Sequence, residues 1–93
     1  MHIGNIHFDT IGRDVRVGGA VVALPRREGT ILEHVMRRAG RVVPKTVLEE
    51  KLYGIDEELE SNAIPVHVHH LRKKLGVSLI KNVRGVGYRV TEG

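Results

Sequence analysis

The stretch His67-Val68-His69-His70-Leu71-Arg72-Lys73-Lys74 sets three imidazoles, one guanidinium and two ammonium groups in eight consecutive positions. Such groups can donate hydrogen bonds to phosphate oxygens or base edges, and imidazole lone pairs can hold a metal ion. His67 and His70 stand at i, i+3 and could share a helix face as ligands. No cysteine or spaced carboxylate completes a site beside them, so neither a metal nor a cofactor is expected. No serine or threonine sits in a recognisable nucleophile motif, and no paired carboxylates occur outside one acidic run, which leaves an enzyme unexpected. Binding of a polyanion is the chemistry that remains.

The element that must position these groups is a helix. At about 100° per residue, Ile64, Val68, Leu71 and Leu75 fall on one apolar stripe, at i, i+4, i+7 and i+11. Asn62, Val66, His69, His70 and Lys73 collect on the opposite side, with Arg72 and Lys74 on its flanks and no acid among them. A helix buried along one side and basic along the other suits the major groove of duplex DNA, which admits one α-helix. Ser61 can cap it, which places Pro65 about one turn inside, at the cost of one hydrogen bond or a slight bend. A start nearer Ile64 would suit Pro65 but take Asn62 off the groove face, and the earlier start is favoured. Further on, Leu79–Val83 and Tyr88–Val90 read as strands around Arg84-Gly85-Val86-Gly87, where two glycines allow positive φ in a tight turn. Arg84 then projects near the tip, as a hairpin reaching for a narrow minor groove requires.

The rest of the chain reads as the scaffold. Its 93 residues make one domain with 41% apolar residues, and only Phe8, Tyr53 and Tyr88 are aromatic, so the core must be mostly Val, Ile and Leu. There is no cysteine, no signal-peptide pattern and no segment of membrane-spanning length, which makes a cytoplasmic location the expectation. Short β-favouring runs at Ile6–Phe8, Val15–Val17 and Val21–Leu24, with Gly18-Gly19 as a hairpin signal, predict a small antiparallel sheet. His2 and His7 are expected at its surface. A first helix is expected from Arg26 to Ala39, after Pro25, burying Ile31, Leu32, Val35, Met36 and Ala39, with Glu28 favoured in its first turn by the dipole. A link Arg41-Val42-Val43 precedes a second helix, opened by Pro44 and running to Tyr53, with Val47, Leu48 and Leu52 inward. Charge is segregated: residues 49–60 carry six acids against Lys51, whereas residues 61–93 carry six Lys and Arg against Glu92. Such a split favours an oriented nucleic-acid binder.

With Gly40-Arg41-Val42-Val43, the His67–Leu75 stretch and Val83-Arg84-Gly85-Val86-Gly87-Tyr88-Arg89 in this order, the chain resembles the winged-helix effector domain of OmpR/PhoB-type response regulators. The resemblance runs from Ile3 to Val90. It implies an α+β winged helix-turn-helix: an N-terminal four-stranded antiparallel sheet over residues 1–24, three helices over 25–76 and a C-terminal hairpin wing over 77–93. It implies sequence-specific binding of double-stranded DNA, with the third helix in the major groove and the wing toward the minor groove. Val66 and His70 match base-proximal positions, and Arg84 matches the wing arginine; Asn62 and His69 share the groove face with them. His67, Arg72 and Asn82 match phosphate-contacting positions, Tyr53 matches an aromatic that packs on the DNA backbone, and Lys73 lies beside them. The segment Gly54–Glu60, with Asp56, Glu57 and Glu58, matches a loop that family members can present to RNA polymerase.

Three departures stand out. Pro65 replaces an often acidic residue, His70 stands where a longer basic side chain is common, and Gly29 replaces a usually bulkier one. No phosphorylatable receiver domain is in this chain, so it is expected to be the output half of a longer protein. A monomer is expected alone, with head-to-tail pairing on direct-repeat half-sites. The competing expectation, a winged-helix protein–protein module, needs an apolar exposed face that Val66 alone does not supply.

Overall fold

Alternation builds the first layer. In Ile6-His7-Phe8 the outer two side chains are buried and His7 is exposed, the period-2 pattern of a strand with one face on a core. In the computed structural model, residues 1–53, 63–76 and 79–91 are described, Tyr53 by its backbone alone. Strands β1 (His2–Ile3), β2 (Ile6–Phe8), β3 (Val15–Val17) and β4 (Ala20–Val22) form an antiparallel sheet in that order. The residue patterns alone indicate three of these strands, and β1 is the fourth that the resemblance implies. Gly18 and Gly19 join β3 to β4 with φ of +58° and +88°, the two left-handed residues that a two-residue hairpin needs to match strand twist. Ile3, Ile6, Phe8 and Val15 point into the core. His2 and His7 pair across β1 and β2 on the exposed face, with ring centroids 6.2 Å apart.

Helix α1 (Arg26–Arg37) follows Pro25, whose extended ψ of 154° delivers the chain into the first turn without a side-chain cap. It stops two residues short of the expected end, so Ala39 falls past the helical period and is exposed instead of buried. Gly29 lies buried within α1. A Cβ there would sit 3.6 Å from the Arg13 guanidinium, so an arginine from the sheet layer covers the small residue.

The link after α1 differs from its sequence reading. Val43–Pro44 is a strand, β5, and α2 (Lys45–Tyr53) begins only after it. Pro44 has no N–H to donate, which an edge strand tolerates. It pairs with Gly87 in a second sheet of order β5-β7-β6, formed with β6 (Ile80–Val83) and β7 (Gly87–Val90). This pairing explains Gly87, whose φ is not positive. A Cβ on Gly87 would stand 2.1 Å from the Val43 carbonyl oxygen, so the position needs a missing side chain, and only Gly85 (φ +76°) serves the turn by its backbone.

Helix α3 (Ala63–Leu75) buries Ile64, Val68, Leu71 and Leu75, the whole expected stripe, against α1 and α2. Pro65 is exposed near its start, where an N–H has no carbonyl partner inside a helix in any case. The Ser61 start lies outside the described residues. Ile31, Leu32, Leu48 and Leu52 complete the junction with no solvent exposure. Each such burial contributes about 1.5–3 kcal/mol, so α3 is held by its inner face while the outer face stays free for other use.

Candidate nucleic-acid interface

On the outer face of α3, Val66, His69, His70, Lys73 and Lys74 are all exposed. His69 and His70 stand side by side, ring centroids 6.0 Å apart and tilted by 51°. His67 is different. It is half-buried, burial pushes its imidazole below the usual pKa, the nearby Arg27 adds to this, and Glu28 opposes it. Its Nδ1 is buried with no hydrogen-bond partner among the described residues.

Arg72 joins the helix to the wing. Its Nε donates to the Ile80 carbonyl at 2.9 Å, and Nη2 donates to Asn82 Oδ1. Both acceptors are neutral, so the guanidinium fixes β6 against α3 while keeping its positive charge. Two residues expected at phosphates, Arg72 and Asn82, are thereby brought into direct contact. Gly40 N donates to the Val90 carbonyl at 3.0 Å and Lys45 N to the Val86 carbonyl at 3.1 Å, so α1 and α2 also anchor the hairpin. Arg84 is exposed at the tip, beside an open cleft of about 500 Å³ lined by Lys45, Thr46, Asn82, Val86 and Tyr88. Tyr88 forms the floor: burial raises its phenol pKa, and Arg72 partly offsets that. Lys73, Lys81 and Arg84 have no carboxylate partner among the described residues.

Sequence reasoning misses one residue of this region. Glu28 reads as a partner of the α1 dipole, yet it is buried, with Lys74 Nζ 2.8 Å from Oε1 and His70 Nδ1 3.4 Å from Oε2. Glu28, Leu32 and Val35 are spaced i, i+4, i+7, so the carboxylate lies on the buried stripe. That spacing is the available signal. The charge of Lys74 is thus matched from below, whereas Arg72, Lys73, Lys81 and Arg84 have no carboxylate partner among the described residues. Of the other expected site residues, Asn62, the Tyr53 side chain and the acidic Asp56, Glu57 and Glu58 lie outside the described residues.

Three helices with a basic, acid-free face on the third, flanked by an anchored hairpin with an arginine at its tip, define a winged-helix domain. The chain matches the family model described as "Transcriptional regulatory protein, C terminal" over residues 19–90 and belongs to that family, the effector domains of OmpR/PhoB-type response regulators. It is 48% identical over 89 residues to the transcriptional regulatory protein QseB of Escherichia coli O157:H7, covering 96% of this chain and 41% of that one. The chain therefore spans about two fifths of the length of this relative. The DNA-binding domain of Klebsiella pneumoniae RstA, solved in complex with the RstA box, superposes with a TM-score of 0.84 at 26% identity, over 100% of this chain and 97% of that one. The Thermotoga maritima response regulator DrrB, an OmpR/PhoB homologue, superposes with a TM-score of 0.87 at 26% identity, over 98% of this chain and 43% of that one. Among the described residues no helix is long and apolar enough to cross a membrane.

Proposed function

We propose that this chain is the DNA-binding output domain of a two-component response regulator, controlling transcription by placing α3 in the major groove and the wing arginine toward the minor groove. The observation that carries this reading is the Arg72 bridge. It locks the α3 face and the wing into one rigid positive surface and leaves the guanidinium charge unmatched. On this surface Val66, His69, His70 and Arg84 face the bases, with Asn62 beside them. Arg72, Lys73 and Asn82 face phosphates, with Tyr53 and the less accessible His67 at the margin. An interaction module without DNA is less well supported, because Val66 and Pro65 are the only apolar side chains exposed on the described part of α3. The decisive measurement is fluorescence anisotropy of labelled duplexes against salt. Release of counterions from several phosphates gives a clearly negative slope of log affinity on log salt. A flat slope overturns the proposal.

The full-length partners follow from the same reading. A receiver domain in the full-length protein is part of this proposal, supported by the chain's spanning only 41% of the relative it matches. The domain binds as a monomer joining a second copy head-to-tail on direct repeats, since one small domain buries a modest interface. Asp56, Glu57 and Glu58 are repelled by DNA and suit a basic surface of RNA polymerase. Replacing Glu57 and Glu58 by Ala then leaves DNA affinity intact or slightly higher and lowers activated transcription. Loss of DNA binding with activation kept per bound molecule sinks the loop assignment.

A further inference from the structure

Beneath the DNA-facing surface, α1 and α3 bring together three groups that the chain keeps far apart. One carboxylate oxygen of Glu28 and one ring nitrogen each of His67 and His70 lie within 4.8 Å of one another. Glu28 comes from the first turn of α1, and the i, i+3 spacing of the histidines puts both rings on its side of α3. The missing carboxylate of the sequence reading is therefore supplied by another helix.

Each group is incompletely satisfied. Glu28 is buried, its side chain only 4% exposed, and its Oε2 faces His70 Nδ1 at 3.4 Å, beyond a good hydrogen bond. His67 Nδ1 is buried without a hydrogen-bond partner among the described residues. Native proteins rarely leave such an atom unpaired, and coordination to an ion would satisfy its lone pair.

We propose that Glu28, His67 and His70 bind a divalent transition-metal ion, with zinc the best match. Two imidazoles and one carboxylate are a common three-ligand zinc set, with water in the fourth position, whereas calcium and magnesium favour all-oxygen shells. Tetrahedral bonds of about 2.1 Å set ligand atoms roughly 3.4 Å apart, the separation already present between Glu28 and His70. Closing the rest of the site asks for approach of the His67 ring nitrogen, which lies within 4.8 Å of the other two ligand atoms, with the half-exposed His70 side chain able to adjust. Lys74 holds the other carboxylate oxygen, Oε1, at 2.8 Å and so orients Glu28 without occupying Oε2. Lys74 and the neighbouring Arg27 also repel a dication, so binding is reversible and much weaker than at a four-ligand structural zinc.

Metal binding fixes His70 against Glu28, where its Nδ1 already lies, and so keeps it from swinging out to the groove. Zinc therefore lowers DNA affinity, a consequence that rests on the proposed DNA binding, whereas the site does not. Zinc chloride titrated calorimetrically into the metal-free chain, without DNA, is expected to give one equivalent bound. His70→Ala, at an exposed position that leaves the core intact, is expected to weaken it at least about tenfold. His69→Ala and His2→Ala are expected to leave it unchanged. In parallel, zinc shifts the ring resonances of His67 and His70 among the six histidines. Absence of heat, or binding that survives His70→Ala and follows His2 or His69, overturns the site. Zinc bound as expected with DNA affinity unchanged removes only the coupling.

Discussion

Two clusters of cations, one around Glu33 of α1 and one on α3 and the wing, differ in their partners. Around Glu33, the carboxylate accepts from Arg13 at 2.8 Å and from Arg37 at 2.8 Å, so two guanidinium groups, from the sheet layer and the helix, share one anionic acceptor. Arg13 also lies over the Phe8 ring, 5.7 Å from its centroid. On α3 and the wing, Arg72 donates to a backbone carbonyl and an amide oxygen, while the buried carboxylate of Glu28 is held by Lys74 and His70. Both clusters look basic in the sequence. Only the second holds a guanidinium on neutral acceptors alone, which position it without offsetting any of its charge. A count of cations therefore says less about a polyanion site than the identity of their acceptors.

The largest expected effect comes from removing the neutral-acceptor bridge. Arg72→Ala deletes two charge-assisted hydrogen bonds and is expected to cost about 1.5–3 kcal/mol in urea unfolding. It is also expected to weaken binding to all duplexes about equally, because phosphate contacts position and do not specify. Arg37→Ala, which removes a surface cation already held by a carboxylate, is expected to leave DNA binding unchanged. If both variants lose DNA equally, the contrast between the two clusters fails.

Next in size is Val66→Ala, on the retained-charge side but neutral. An apolar side chain can contact a thymine methyl, so this change is expected to alter preference at one base pair by about 1–3 kcal/mol with the salt slope intact, as read by selection from randomised duplexes. An unchanged preference would place Val66 outside the groove.

The smallest effect concerns Glu33. Hydrogen bonds from Arg13 and then Arg37 hold its carboxyl below the usual value. The folded state thus binds the proton more weakly than the unfolded chain. The stabilisation is complete above the unfolded pKa, about 4.3, and is lost as pH falls through the lower folded value. Glu33→Gln is expected to cost about 0.2–1 kcal/mol at pH 7 by thermal unfolding, with the gap to wild type closing in acid. The same change releases two guanidinium groups. A DNA affinity that then rises sequence-independently would show that retained charge, not location, makes a surface bind.

Much of the molecule is legible because its period or turn chemistry is local. The α3 stripe Ile64, Val68, Leu71 and Leu75 follows from helical spacing, and the Gly18-Gly19 hairpin from the need for two left-handed residues. Ala39 departs from its expected burial because a helix end depends on capping, which periodicity does not encode. The strand at Val43–Pro44 is not legible, since two residues carry no pattern and exist as a strand only through pairing with β7. Gly87 reads as a flexible turn residue, whereas its constraint is the Val43 carbonyl brought against it by that pairing.

The same division runs through the functional surface. Residue types and helical period determined by themselves that α3 would carry a basic, acid-free face, because side-chain direction on a helix is set by the backbone repeat. Which of those groups keep their charge was decided only by the tertiary structure. Glu28 is 46 residues from Lys74, and Arg72 is ten from Asn82. Coulomb and hydrogen-bonding forces act over a few ångströms of space, and only packing α1 and the wing against α3 brings those partners within reach.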